Sequence, residues 1–195
     1  MRNPNGQAWD PDTGALWTAV NERDEIGNDV PPDYMTAVKQ GGFYGWPYSY
    51  YGGHVDPRKA GQHPELVARA LVPDFTFPPH TAPLGLVFYQ RDAFPKQYRG
   101  GAFIAAHGSR NRSKFQGFKV VYVPFAHGSP AGPAQDFLTG FIKDEAASEV
   151  YGRPVGLAVA NDGALLVADD GGNVVWRVTY KCSACTPDPE LPARH

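Results

Sequence analysis

Apolar residues in this chain come in short bursts of strand length, broken by turns rich in glycine, proline, asparagine and aspartate. Gln7-Ala8-Trp9 runs into Asp10-Pro11-Asp12-Thr13-Gly14 and out into Ala15-Leu16-Trp17-Thr18-Ala19-Val20. That is a strand, a turn with proline and glycine where turn geometry wants them, and a second strand. Leu86-Val87-Phe88-Tyr89 and Ala102-Phe103-Ile104-Ala105 make the same pair around a longer loop. Leu157-Ala158-Val159, Asn161-Asp162-Gly163 and Ala164-Leu165-Leu166-Val167 make it around a tight hairpin turn. Further strands are predicted over residues 34–38, 118–125 and 174–180; in the last, Val174, Trp176, Val178 and Tyr180 share one face. Residues 52–80 and 126–134 lack periodicity and read as loops, and residues 134–141 hold one helical turn at most.

One phrase opens each strand pair. Pro4-Asn5-Gly6, Pro83-Leu84-Gly85 and Pro154-Val155-Gly156 each lead into the first strand, with starts about 70 to 80 residues apart. A β unit recurring at that length predicts an all-β radial repeat, with its chemistry on loops at one face beside the axis.

Composition narrows the field. Of 195 residues, 22 are glycine, 19 proline and 2 methionine, and 13% are aromatic, which suits many turns and β structure. A formal net charge of −2 gives no support to nucleic-acid or anionic-membrane binding. No apolar run reaches the length of a membrane-spanning helix, and Met1-Arg2-Asn3-Pro4 opens without the charged and apolar regions of a secretory leader. Cys182 and Cys185 follow the last strand. With no second pair for zinc and no histidine at 186 for haem, they read as a tail pair, joined by a local disulfide if the protein is exported.

Motifs in a fixed order carry a resemblance. Arg2-Asn3-Pro4-x-Gly6 precedes a strand, and an acidic loop over residues 21–29 follows the next one. Gly41-Gly42-x-Tyr44-Gly45-Trp46-Pro47 comes after it, and Ala82-Pro83-x-Gly85-Leu86-x-Phe88-Tyr89 recurs midway. Asp162-Gly163-Ala164-Leu165 and Asp169-Asp170 come late. This order, from residue 2 to about residue 180, resembles the glucose/sorbosone dehydrogenase family. Those are soluble quinoproteins that use pyrroloquinoline quinone (PQQ) and calcium, and the chain is most similar to the sorbosone dehydrogenase-like branch. The resemblance implies a six-bladed β-propeller, of which about three blades are present here. Residues 1–180 are expected to be a partial propeller and residues 181–195 a tail. Six units of this length need on the order of 450 residues. The chain is therefore expected to be the C-terminal half of such a protein, a fragment or truncated form. Its open propeller edges would be covered by the N-terminal half or by self-association. The family also implies a periplasmic or secreted location.

The resemblance implies roles for individual residues. Arg2 and Asn3 match the family's quinone-contacting pair; a guanidinium grips carboxylates bidentately, and an amide both donates and accepts. Arg110 and Arg112, in His107-Gly108-Ser109-Arg110-Asn111-Arg112, and Arg153, just before the third repeat, are further candidate quinone contacts. A second basic residue two positions beyond Arg153 is Val155 here, so that clamp is incomplete. Residues 21–29 correspond to the loop that gives carbonyl oxygens to calcium. Glu22-Arg23 stands where the family carries Gly-Pro. The metal candidates are therefore the backbone carbonyls of Glu22 and Arg23 and the carboxylates of Glu22, Asp24 and Asp29, since calcium takes 6–8 oxygen ligands. The alternative for this loop is a solvated acidic turn. The general base is expected to be a histidine in an earlier blade, outside this chain, while His80 could line the substrate cleft. Tyr44, Trp46, Tyr48, Tyr50 and Tyr51 form an aromatic cluster, in which Trp46 reads chiefly as core.

The resulting expectation is part of a quinoprotein dehydrogenase that oxidises an aldose or sugar aldehyde, inactive alone because the base segment is absent. The alternatives are a calcium-dependent propeller lactonase or hydrolase, and a propeller that binds without catalysis.

Overall fold

The computed structural model describes residues 1–109 and 112–181. β1 (Asn3–Trp9), β2 (Leu16–Asn21), β3 (Asp33–Ala37) and β4 (Phe75–Phe77) form one sheet in that order. β5 (Pro83–Phe88), β6 (Ala102–Ala106), β7 (Lys119–Val123) and β8 (Gln135–Leu138) form a second in the same way. The third sheet has three strands, β9 (Pro154–Val159), β10 (Leu165–Asp169) and β11 (Val174–Val178). Neighbours are antiparallel throughout. Among the described residues, helix is limited to one short turn at Pro64–Val67 and two 3-10 turns. Among the described residues, no helix is long and apolar enough to cross a membrane.

The chain is nearly all-β, as the alternation predicts. Two strands of the larger sheets were hidden from a local reading. β4 lies within the stretch expected to be loop; it is three residues long, too short to show a period, and exists through pairing with Asp33, Tyr34 and Met35. β8 lies where a helical turn was the most expected, and its partner is β7, across a register shift. Long-range pairing decides both.

Two apolar seams join the sheets. Trp17, Ala19, Met35 and Phe77 of the first sheet pack on Leu86, Phe88, Ala102, Ile104, Val121 and Val123 of the second. Tyr89, Phe94, Phe103, Val120 and Tyr122 pack on Leu165 and Val167 of the third. Ile104 and Phe103 therefore face opposite seams, and all five residues of β6 are buried. The far face of the first sheet is also covered. Thr18, Val20, Tyr34 and Thr36 are buried there, with Tyr44 stacked on Tyr34 at 6.5 Å and its hydroxyl donating to the Ala37 carbonyl at 2.8 Å.

The repeated phrase has a structural meaning. In each repeat the register with the next strand shifts between the proline and the residue three positions on: Pro4/Gln7, Pro83/Leu86 and Pro154/Leu157. Each phrase is thus a β-bulge on the first strand of its sheet. The bulge glycines also set the seams. A Cβ on Gly6 would stand 2.5 Å from the Leu86 nitrogen and collide with the Leu84 carbonyl. A Cβ on Gly85 would collide with the Val155 carbonyl and stand 3.1 Å from the Leu157 nitrogen. Backbone meets backbone at both places, which only glycine allows. Gly156 differs, since a Cβ there would meet only the Ala168 methyl at 3.6 Å.

Gly85→Ala should therefore overpack the second seam and cost about 1–3 kcal/mol. Gly156→Ala should stay within about 1 kcal/mol of the parent. Urea unfolding of both variants checks this, and equal losses at the two positions would refute the seam assignment.

Candidate functional site

The ends of β2 and β6 and the segment leading into β5 meet on one side of the bulges. They enclose a polar cavity of about 260 Å³ lined by Arg2, Asn3, Asn21, Glu22, Arg23, Asp24, Pro31, Asp33, His80, Ala82, Gly108 and Ser109. Arg2 stands just before β1. Its Nη1 donates to the Glu22 carbonyl at 2.9 Å, and its guanidinium lies 5.9 Å from the Trp46 ring centroid. Trp46 is half-buried against this cation and is not simple core packing, contrary to the sequence expectation.

Buried polar groups hold the acidic loop. Asp33, the first residue of β3, accepts from the Glu22 amide at 2.8 Å through Oδ1 and from the Ala82 amide at 2.8 Å through Oδ2, tying the loop to the second repeat. Burial pushes its carboxyl up to about 6, against the two amides and His80. The Arg23 side chain turns away from the cavity to a buried ion pair with Asp56 at 2.5 Å. Burial raises the Asp56 carboxyl, but the Arg58 amide and Arg23 outweigh it and hold the group below its ordinary value. His80 spans the loop, with Nδ1 3.0 Å from Asp24 Oδ1 and Nε2 2.9 Å from the Gly27 carbonyl. Both ring nitrogens are engaged.

Among the described residues, two buried oxygens in this wall meet no hydrogen-bond donor, Asn21 Oδ1 and Glu22 Oε1. Such atoms are costly unless something positive or protic meets them. Burial pushes the Glu22 carboxyl up to about 7; Asp33 adds to the rise, while the Arg23 amide and Arg2 oppose it. Among the described residues, no group of three or more His, Cys, Asp or Glu is gathered to hold a metal by those side chains alone.

The candidates from sequence fall into three sets. Arg2, Asn3, Glu22, Arg23 and Asp24 line the one cavity. Arg153 reaches its rim from the third repeat, donating to the Gly108 carbonyl at 3.5 Å and the Ser109 carbonyl at 3.2 Å over the Phe118 ring. Arg112 and Asp29 pair with each other at 3.1 Å, outside the cavity lining. Arg110 lies outside the described residues, as do Cys182 and Cys185. Asp33 was missed: it follows Pro31-Pro32 and looks like one more loop acid, and only the pairing of β3 with β2 brings it under Glu22.

Comparison with known proteins gives a consistent picture. A family model described as TrAA12-like matches residues 59–181. An uncharacterized protein of Borreliella burgdorferi is 32% identical over 189 residues, 93% of this chain and 48% of its own length. The aldose sugar dehydrogenase YliI of Escherichia coli is 34% identical over 110 residues, 54% of this chain and 27% of its own. The chain thus spans about half the length, or less, of the curated relatives it matches. Among solved structures, the holo form of the pyranose dehydrogenase PQQ domain from Coprinopsis cinerea superposes with a TM-score of 0.71 at 25% identity, over 92% of this chain and 54% of that one.

The two raised carboxyls carry a sign. Each has a folded value above its ordinary one, 4.5 for Glu22 and 3.8 for Asp33. Their contribution to stability is full below those ordinary values and is lost as pH rises through about 6 and about 7. In chelator, the melting temperature should fall between pH 5 and pH 8, and Glu22→Gln should flatten the upper part of that fall. An unchanged profile in the variant, followed by differential scanning calorimetry, would count against the burial of Glu22.

Proposed function

The chain belongs to the TrAA12-like family, and from that premise we propose that it forms part of a PQQ- and calcium-dependent dehydrogenase of an aldose or sugar aldehyde. In this reading its three sheets are three blades of a six-bladed β-propeller. The observation that carries it is the cavity, to which the first repeat brings Arg2 and Asn3, the second Gly108 and Ser109, and the third Arg153 at the rim. Such convergence of successive repeats on one polar site is what a radial fold provides.

The donor set fits both groups. Guanidinium and amide donors suit a tricarboxylated quinone. The buried Asn21 and Glu22 oxygens, with the loop carbonyls, suit a hard cation that prefers oxygen. When bound, the quinone supplies a two-electron oxidant for the sugar carbon and calcium supplies Lewis-acid polarisation. Arg2, Asn3 and Arg153 would hold the quinone carboxylates, with Arg110 a further candidate and Arg112 one only if it leaves its pairing with Asp29. The Glu22 and Arg23 carbonyls and the Glu22 carboxylate would hold calcium, with Asp24 and Asp29 as outer candidates. Trp46 would keep Arg2 aimed through the cation–π contact. His80, with both nitrogens engaged, braces the loop and does not take the sugar proton. We assign that step to a base outside residues 1–195, and a periplasmic or secreted setting goes with the same reading.

The test is thermal melting of residues 1–195 with PQQ and Ca²⁺. Ligand at 100 times its dissociation constant should add about 2.7 kcal/mol, a rise of roughly 5–10 °C for a domain of this size. Arg2→Ala and Arg153→Ala should each lose most of the rise, and sugar-dependent dye reduction should be absent. No rise with either ligand would sink the cofactor reading, while turnover by this chain alone would sink the assignment of the base.

A further inference from the structure

Neither His107 nor the Asp169-Asp170 pair lines the polar cavity, yet both converge on Arg153 at its rim. His107 directly follows β6, and its amide donates to the Ala82 carbonyl at 3.0 Å, extending the pairing of the second sheet past the strand. Its side chain is 12% exposed. Nε2 lies 2.9 Å from Asp170 Oδ1, and Nδ1 lies 3.5 Å from Arg153 Nη1. Asp170 in turn donates its amide to the Arg153 carbonyl at 3.3 Å, and Asp169 accepts the Arg153 amide at 2.7 Å. The contacts close a circuit, from the Arg153 backbone through Asp170 and the His107 ring to the Arg153 guanidinium.

The circuit admits one arrangement of protons. A guanidinium only donates, and a carboxylate only accepts. The ring nitrogen that faces Arg153 must therefore be bare, and the one that faces Asp170 must carry the hydrogen. His107 is thus a neutral imidazole with its proton on Nε2, the form that a carboxylate at Nε2 favours. Arg153 also donates to the Gly108 and Ser109 carbonyls, at 3.5 and 3.2 Å, over the Phe118 ring. A backbone carbonyl accepts in every state, whereas Nδ1 accepts only while it is bare. Of these three acceptors, His107 is the one whose service depends on where its proton sits.

We propose that His107, held in this form by Asp170, is a positioning residue that sets the Arg153 guanidinium toward an anion in the cavity. This rests on the reading of Arg153 as a contact for the quinone carboxylates. Arg153 enters from the third repeat, and all three acceptors stand on residues 107–109 of the second, so the place of its charge depends on that segment. Gly108 keeps the segment close, since a Cβ there would stand 2.5 Å from the Phe118 ring that the guanidinium covers. An arginine loses much rotamer freedom when it is fixed, so presetting it lowers the cost of binding. A plain tie between the second and third sheets would need only the contact of His107 with Asp170. The two roles therefore call on opposite ends of the ring.

Asparagine and glutamine separate those ends. The Asn carbonyl oxygen is as many bonds from Cβ as Nδ1, and the Gln amide nitrogen as many as Nε2. His107→Asn thus keeps the acceptor toward Arg153, and His107→Gln keeps the donor toward Asp170. In residues 1–195 with Ca²⁺ present, PQQ binding followed by absorbance titration should stay within about twofold of the parent in His107→Asn and weaken about fivefold or more in His107→Gln. In an Arg153→Ala background the two variants should bind alike, however weakly. Without cofactor, long-range proton–nitrogen NMR of the parent above neutral pH should find His107 protonated at Nε2. Melting curves establish that each variant folds; Asp170→Ala, which should also weaken binding, serves if one does not. Equal binding by the Asn and Gln variants, a difference that persists without Arg153, or a proton on Nδ1 overturns the positioning role and leaves the cofactor reading standing. No binding by the parent overturns that reading, and this inference falls with it.

Discussion

Two close backbone crossings hold this molecule in register: Gly6 over β5 and Gly85 over β9. At each, a carbonyl and an amide of the next sheet come nearer than any side chain would permit. The crossings coincide with a bulge in the first strand of each repeat, so the twist of a sheet and its spacing from the next are set at one point. The apolar seams then fill what those crossings define. β6 illustrates the result: Phe103 and Ile104, adjacent in sequence, belong to different cores because a sheet lies on either side.

Above the crossings the architecture turns polar, and the cost of that is visible. A guanidinium, an imidazole and three carboxyl groups are buried within and behind one small loop. Arg23 with Asp56 and His80 with Asp24 are matched, and Asp33 is satisfied by two amides. Glu22 and Asn21 keep unmet oxygens at the cavity wall. Breaking a matched buried pair is expensive, while the unmet groups weaken the fold unless a ligand meets them. Stability has been kept in the loop's supports and withheld from the wall that faces the cavity.

Much of this was legible in the residues. The three Pro-x-Gly phrases marked the three sheets, and the motifs around Arg2-Asn3 and the acidic loop pointed to the residues that line the cavity. What escaped was set by contacts distant in sequence. Phe75-Thr76-Phe77 is a strand only because β3 offers an edge. Asp33 resembles any loop acid until pairing places it under the Glu22 amide. Arg112 looked like a ligand for an anion, but its guanidinium lies beside Asp29, a partner on another repeat that spacing cannot reveal.

The bulged phrase also has a bearing on which substitutions the chain can absorb. Arg2-Asn3 and Arg153 stand directly before bulges, so one short stretch both spaces the sheets and aims a cation. The two traits are coupled: a shift of the strand would move the cation with it. The loops after β2 and β6 carry no such double duty at their tips, where Glu25, Asn28, Ser113 and Lys114 are exposed. Substitutions at those tips would leave the sheet spacing and the aim of the cation untouched, whereas a change in the phrase at the foot of the first repeat would disturb both together.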